Sequence, residues 1–170
     1  MKTVTTALVV IWLFSVSSYA EDTSRFEVHG GYSFLHTPVV DAFHGCNCGL
    51  TYYFYDFLGL EVDISGHYKG SVDFYNFLVG PKYVFNRLER ISTHVHALVG
   101  AGYVYDYWCC YIGDSWSETQ VAFAMGVGLD IKLNKHVAIR PIQLDYIRQM
   151  GVLREHQARY TFGLVFRFGD

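Results

Sequence analysis

Charged side chains recur through this 170-residue chain at alternate positions, opposite bulky apolar residues, so that many of them could share one face. A charge enclosed without a partner is costly, so such a face has to pair its acids with its bases. A narrow path for ions is the alternative use of the same face. We expect a paired charge network that comprises Glu61, Asp63, Lys82, Asp130, Lys132, Arg140, Asp145, Arg159 and Arg167, with Glu27 and Arg148 on the same face.

Two histidines, His94 and His96, are two residues apart and therefore point to the same side of an extended strand. His29 is expected on that side as well. A metal site needs three or four ligands that converge, and the spacing alone does not bring three together. We therefore expect these rings to be hydrogen-bonded, with no metal and no cofactor. A surface position is expected for the histidines near strand ends, His36, His44 and His67.

Nucleophilic catalysis would require a serine beside a histidine at a place that a substrate can reach. Ser65 and His67 are two residues apart, but alternation directs both to the enclosed face. Ser33 and His36 are no better placed. We therefore expect no catalytic residue and a protein that is not an enzyme.

The four cysteines form two close pairs, Cys46 with Cys48 and Cys109 with Cys110. Closing either pair locally would give a small or strained ring, so bridges between the two pairs are easier geometrically. Free thiols are one alternative, and a zinc ion held by four thiolates is another, although the usual C-x₂-C spacing is absent. We expect at least one bridge that pins the loop carrying Cys109 and Cys110 over the rim.

The beginning of the chain indicates the compartment in which these groups act. Lys2 precedes an apolar run over residues 7–16, and Ser18 and Ala20 are small residues at the positions that signal peptidase reads. Residues 1–20 are predicted to be a cleaved signal peptide and 21–170 to be one domain. Export makes disulfides possible. With 13 basic against 16 acidic residues and no basic block, nucleic acid is not an expected partner.

After residue 20 the hydrophobicity alternates with a period of two, which is the period of β-strands. Eight strands are predicted, over residues 25–37, 44–55, 58–68, 74–85, 91–105, 118–133, 137–148 and 157–168. The last strand is the clearest, since one of its faces consists of Tyr160, Phe162, Leu164, Phe166 and Phe168. The lengths exceed those usual in soluble sheets and suit tilted strands that cross a bilayer.

The composition of the two faces decides which one is enclosed. An eight-stranded lumen is narrow and accepts glycine, alanine and compact ion pairs, whereas a continuous Phe, Tyr, Leu and Val surface suits lipid. In hydrocarbon the sheet must close so that every backbone group is paired. The expected fold class is therefore all-β, an eight-stranded antiparallel up-and-down transmembrane β-barrel.

Two details of the strand pattern complete the expected barrel. A β-bulge near Pro141 is needed to keep Arg140, Gln143 and Asp145 on the lumen side. Short links at 56–57, 86–90 and 134–136 are predicted on the periplasmic side. Longer polar links at 38–43, 69–73, 106–117 and 149–156 are predicted outside.

The leader, the eight strands and the closing alternation from Tyr160 to Phe168 together resemble the small outer-membrane β-barrel family of OmpA and OmpX type. The resemblance implies a place in the outer membrane of a Gram-negative-type bacterium, among lipid and lipopolysaccharide. It also implies that the barrel-assembly machinery reads the last strand, which ends in the aromatic Phe168.

Two classes of function follow from this architecture. The first is a non-enzymatic barrel that stabilises the envelope or presents its external loops for binding or adhesion, to a partner that the sequence does not name. The second is a small lipid-modifying enzyme of the outer membrane, and a narrow channel is a further alternative.

Overall fold

The computed structural model describes residues 24–37, 42–88, 90–106, 116–150 and 156–169, so the predicted signal peptide lies outside the described residues. The described part of the chain forms eight strands, β1 (Phe26–His36), β2 (Phe43–Tyr55), β3 (Leu58–Lys69), β4 (Val72–Arg87), β5 (Ile91–Asp106), β6 (Trp116–Lys132), β7 (Val137–Met150) and β8 (His156–Phe168). Successive strands pair with each other, and antiparallel pairing of β1 with β8 closes the barrel. The predicted fold class is confirmed, and each predicted strand end lies within two residues of the observed one.

Burial alternates along the strands as a period of two requires. In β6, for example, Met125 is 67% exposed and its neighbour Ala124 is 1% exposed. The outward residues of β6 and β8 are largely Val, Phe, Met, Leu and Tyr, which is the composition of a lipid-facing wall. In the described part of the chain, no helix has the length and apolar character needed to cross a membrane.

The predicted bulge in β7 is present at Pro141. The register between β7 and β8 shifts between Arg140 and Gln143, and the register between β6 and β7 shifts at the facing positions Leu129 and Ile131. Proline has no N–H to donate to a ladder and is therefore tolerated at such an irregularity. As a result Arg140 and Gln143, which differ in parity, are both buried in the lumen.

The link between β3 and β4 is shorter than predicted. The sequence pattern predicts a longer polar loop over 69–73, but the ladder continues to the pair formed by Lys69 and Val72. Only Gly70 and Ser71 remain as a turn, and Gly70 has a φ of 61°, a conformation that two-residue hairpin turns require and that glycine adopts without strain. The links 37–42, 107–115 and 151–155 are at the same end of the barrel as this turn, which is the predicted external end, and the links 56–57, 88–90 and 133–136 are at the predicted periplasmic end. The two ends keep these names, external and periplasmic.

Candidate functional site

An ionic network centred on Glu27 fills the lumen near its periplasmic end. Glu27 is 1% exposed and forms ion pairs with three cationic side chains. Lys82 Nζ lies 2.6 Å and Arg140 Nη2 lies 3.1 Å from its Oε1, while Arg167 Nε lies 3.1 Å from its Oε2. The hydroxyl of Tyr53 also donates to Oε2, at 3.2 Å. One carboxylate of β1 thus links β2, β4, β7 and β8 across the interior.

Asp130 on β6 belongs to the same network. Arg140 donates two hydrogen bonds to this carboxylate, from Nε to Oδ1 at 2.7 Å and from Nη2 to Oδ2 at 3.2 Å. Such a bidentate pair is stronger than a single contact and fixes the relative orientation of the two groups. Arg167 Nη2 lies 3.1 Å from Oδ2 of the same carboxylate. The Arg167 side chain is 15% exposed, which places this group of charges at the periplasmic mouth of the lumen.

Arg159 on β8 joins two further acids deeper in the lumen. Its Nη1 donates to Asp63 Oδ1 and its Nε donates to Asp145 Oδ2, both at 2.7 Å. Asn47 donates to the second oxygen of Asp63 at 2.8 Å, and Gln143 donates to Asp145 at 3.0 and 3.2 Å. Because all of these groups are buried, loss of Arg159 would leave two carboxylates without their main counterion.

His96 on β5 bridges two carboxylates. Its Nδ1 lies 3.2 Å from Glu61 Oε2, and its Nε2 lies 2.8 Å from Asp145 Oδ1. Only the doubly protonated imidazolium can donate from both nitrogens, so the geometry places a positive charge on His96. That charge balances the network, whose other members are five carboxylates and four permanent cations, Glu27, Glu61, Asp63, Asp130 and Asp145 with Lys82, Arg140, Arg159 and Arg167.

His29 lies beside this network without a hydrogen bond to it. The residue is 2% exposed, and its Nε2 lies 3.7 Å from Glu61 Oε1 and 3.8 Å from Asp63 Oδ2. Among the described residues, neither ring nitrogen of His29 nor Oε1 of Glu61 has a hydrogen-bond partner. One ligand atom from each of the three residues lies within 4.8 Å of the others. An imidazole and two carboxylates in this arrangement are ligands that could hold a divalent metal ion.

Each of these lumen histidines faces a glycine on the neighbouring strand. The cross-strand pairs are His29 with Gly49, His94 with Gly128, and His96 with Gly126. A Cβ atom at any of the three glycines would overlap the imidazole opposite. The hydrogen bonding expected for these rings is present for His96, whereas His94 Nε2, like both nitrogens of His29, has no partner in the described part of the chain.

A cluster of apolar side chains occupies the external half of the lumen, alongside buried polar residues such as Asn76 and Gln149, which are hydrogen-bonded to each other. The rings of Phe43 and Phe74 meet edge to face with their centroids 4.9 Å apart. The residues of this apolar plug are Leu35, Phe43, Phe74, Leu78, Leu98, Val104, Ala122, Ala124 and Ile147. The expectation that bulky apolar residues lie only on the lipid face is therefore wrong for this half of the barrel. Such side chains exclude water without needing polar partners, so they close the lumen from the outside.

Two predicted members of the charge network lie outside the ion pairs described above. Lys132 is half-buried at the periplasmic end of β6, at the parity of the lumen-facing residues. Arg148 is exposed, so the prediction that it points inward is wrong. After the bulge at Pro141, the odd-numbered residues of β7 face the lumen, and position 148 faces outward near the external rim.

The expected surface position of His67 is also wrong. His67 is fully buried, as the alternation of Ser65 and His67 predicts, and its Nε2 lies 2.8 Å from Ser33 Oγ. Thr161 donates to the same serine oxygen at 3.2 Å, while Nδ1 of His67 has no partner among the described residues. No carboxylate of the described segments therefore orients this ring in the way that a catalytic triad requires. His36 and His44 are exposed, as expected.

The structure places Cys46 and Cys48 on the outer face of β2, where both are exposed. Cys109 and Cys110 lie outside the described residues. The predicted bridge between the two pairs stays a prediction, which mass spectrometry of the unreduced protein would check. The outward direction of Cys46 and Cys48 means that such a bridge would hold the loop against the outer wall rather than across the lumen.

Solved barrels from several bacteria share this architecture. Neisserial surface protein A superposes with a TM-score of 0.72 at 14% identity, over 87% of this chain and 100% of that one. The N-terminal β-barrel domain of OprF from Pseudomonas aeruginosa gives 0.61 at 11% identity, over 86% and 100%. Ail, the attachment invasion locus protein of Yersinia pestis, gives 0.56 at 19% identity, over 84% and 96%. At these identities the likeness shows a shared fold alone.

Sequence comparison assigns the family. No curated protein sequence matches the chain significantly. Residues 6–168, which are nearly the whole chain, match the family model described as outer membrane protein beta-barrel domain. This match agrees with the closed eight-stranded barrel and its apolar outer wall. The chain therefore belongs to the outer membrane protein beta-barrel domain family and is an integral β-barrel of the bacterial outer membrane.

Proposed function

We propose that this protein is a non-enzymatic barrel that anchors its external links rigidly in the outer membrane and presents them for binding or attachment outside the cell. The observation that carries the proposal is the filled lumen, which has an ionic network at the periplasmic end and an apolar plug at the external end. A filled and cross-linked interior makes a stiff support. The external links, above all residues 107–115, are then the parts that can meet a partner.

The enzyme alternative has little support in the described residues. Ser33 and His67 are within hydrogen-bonding distance, but both are 0% exposed inside the lumen. A lipid substrate would have to reach them through the barrel wall or past the apolar plug. In the part of the chain that the structure describes, no acid bonds to Nδ1 of His67 to stabilise its protonated form.

The channel alternative meets the same obstruction. A path for ions would have to cross both the side chains around Arg140 and Arg159 and the packed rings of Phe43 and Phe74. Eight strands leave a lumen that side chains can fill, in contrast with the water-filled interior of much larger barrels. We therefore favour the external links over the lumen as the site of function.

Attachment is one form that this function would take. Ail, the attachment invasion locus protein, shares the fold, and so does neisserial surface protein A. In this chain, the proposal assigns the equivalent role to links 37–42, 107–115 and 151–155. Outer-membrane lipid and lipopolysaccharide would surround the wall, and the barrel-assembly machinery would read β8. A leader over residues 1–20, cleaved on export, completes the proposal.

The test is to replace each external link with a Gly-Ser segment of equal length and to express the variants in a non-adherent Gram-negative host. Adherence to an epithelial monolayer is expected for the unmodified chain and should fall at least about tenfold when the critical link is replaced. Replacement of the periplasmic link 133–136 is the matched control and should leave adherence unchanged. Equal adherence by all link variants, with the barrel folded at the cell surface, would contradict the proposal.

A further inference from the structure

His29, Glu61 and Asp63 lie close together in the lumen, and His29 is buried with no hydrogen-bond partner for either ring nitrogen among the described residues. Its Nε2 lies 3.7 Å from Glu61 Oε1 and 3.8 Å from Asp63 Oδ2, a spacing shared with the Lys82–Glu61 pair at 3.8 Å but longer than the 2.6–2.7 Å of the direct Lys82–Glu27 and Arg159–Asp63 contacts. A protonated imidazole that bonded directly to a carboxylate would approach it to about 2.7–2.9 Å. The observed spacing is therefore not that of a direct hydrogen bond.

The spacing is close to that of ligands around a shared metal ion. Zinc binds imidazole nitrogen and carboxylate oxygen at about 2.0–2.2 Å, so two ligand atoms of a tetrahedral ion lie about 3.4 Å apart. The two distances from His29 Nε2, 3.7 and 3.8 Å, would have to shorten by only a few tenths of an ångström, and the two carboxylates offer oxygens within 4.8 Å of each other. We propose that His29 Nε2, Glu61 Oε1 and Asp63 Oδ2 bind a divalent transition-metal ion, with zinc as the best match, and that water is the fourth ligand.

The surrounding side chains hold the two carboxylates in the orientation that such a site needs. Arg159 binds Oδ1 of Asp63 at 2.7 Å, and Asn47 donates to Oδ2 at 2.8 Å, so that Oδ2 is held 3.8 Å from His29 Nε2. His96 lies 3.2 Å from Oε2 of Glu61 and orients this carboxylate. The other oxygen, Oε1, has no hydrogen-bond partner among the described residues. Outer contacts of this kind orient metal ligands and contribute substantially to affinity.

The position of the site determines which strands a bound ion would connect. His29 lies on β1, while Glu61 and Asp63 lie on β3, and the imidazole fits because Gly49 on the intervening β2 leaves room for it. All three ligands are at most 2% exposed. An ion here would join two strands that are not neighbours in the sheet, and it would be enclosed when the barrel closes.

The test uses the full chain refolded from urea into detergent micelles in the presence of zinc and then dialysed against a weak chelator. Metal analysis by plasma mass spectrometry should find about one zinc per chain in the unmodified protein. H29Q should weaken zinc binding by roughly 100-fold or more, since a ligand matters at least as much as the outer contacts. H94Q is the matched control, because His94 is also buried opposite a glycine but lies outside the site, and it should retain the zinc.

X-ray absorption at the zinc edge of the unmodified protein gives an answer even if H29Q fails to fold. The proposal predicts a first shell of nitrogen and oxygen at about 2.0–2.1 Å, with imidazole scattering. A sulfur shell at about 2.3 Å would assign the metal to the cysteines and overturn the proposal. Absence of zinc from the refolded barrel, equal retention by folded H29Q, or equal loss from H94Q would also overturn it.

Discussion

His96 lies directly across the β5–β6 ladder from Gly126, and its ring fills the space that a side chain at position 126 would occupy. Asp145 is on β7, which pairs with the other edge of β6, and its carboxylate extends into the same space and lies 2.8 Å from His96 Nε2. A glycine is therefore what allows β5 and β7 to form a charged contact over the strand between them. The ionic network depends on this absence of a side chain as much as on its charges.

Gly126→Ala is expected to destabilise the barrel, because the new methyl group would overlap both His96 and Asp145. Overpacking and a strained buried charge pair together should lower the free energy of unfolding by about 2–3 kcal/mol. Urea titration of the refolded barrel in phospholipid vesicles measures this change. Gly30→Ala is the control, since a Cβ there has its nearest neighbour at an ordinary 3.8 Å, and it should shift the urea midpoint little. Equal stability of the two variants would contradict the account.

Arg159→Met should cost about 3–5 kcal/mol of unfolding free energy, because it leaves Asp63 and Asp145 buried without their shared counterion. Arg148→Met removes the same side chain from an exposed position on the outer face of β7 and should change stability by less than about 0.5 kcal/mol. Urea unfolding followed by the heat-dependent shift in gel mobility compares the two variants. Similar losses for both would mean that the lumen charges do not stabilise the fold.

The strands and the bulge could be predicted from the sequence because both are local properties. A period of two reports the face on which a side chain lies, and Pro141 marks the point at which the parity changes. The contacts of the lumen could not be predicted in the same way. Arg140 and Glu27 form a contact although they are 113 positions apart in the sequence, and this contact depends on the stagger of the strands around the closed barrel.

Depth along the lumen is a second property that alternation does not report. Leu78 and Lys82 share the inward face of β4, yet Leu78 belongs to the apolar plug and Lys82 to the ionic network. The neutral residue Asn47, which donates to Asp63, is missed for a similar reason. Gln143 is correctly predicted to face the lumen, but its hydrogen bonds to Asp145 are not. A search for glycines at lumen parity would have located the histidine sites, but only once the register was known.

The depth dependence of a charge on the outer wall tests how the barrel sits in the membrane. Val62 is 41% exposed in the middle of β3, so Val62→Arg should cost about 2–4 kcal/mol in a bilayer. Tyr55 lies at the periplasmic end of β2, where Tyr55→Arg should cost about 0–1 kcal/mol. Urea titrations in phospholipid vesicles give both values. A larger penalty at position 55 than at position 62 would contradict the proposed membrane span.

The central claim is that the lumen is sealed, so that function belongs to the external links. Planar-bilayer recording from the purified monomer tests this claim most directly. The ionic network around Glu27 and Arg140 and the apolar plug around Phe43 and Phe74 predict no stable conductance steps across the working voltage range. Stable, large steps that persist in the purified monomer would show an open path and contradict the account.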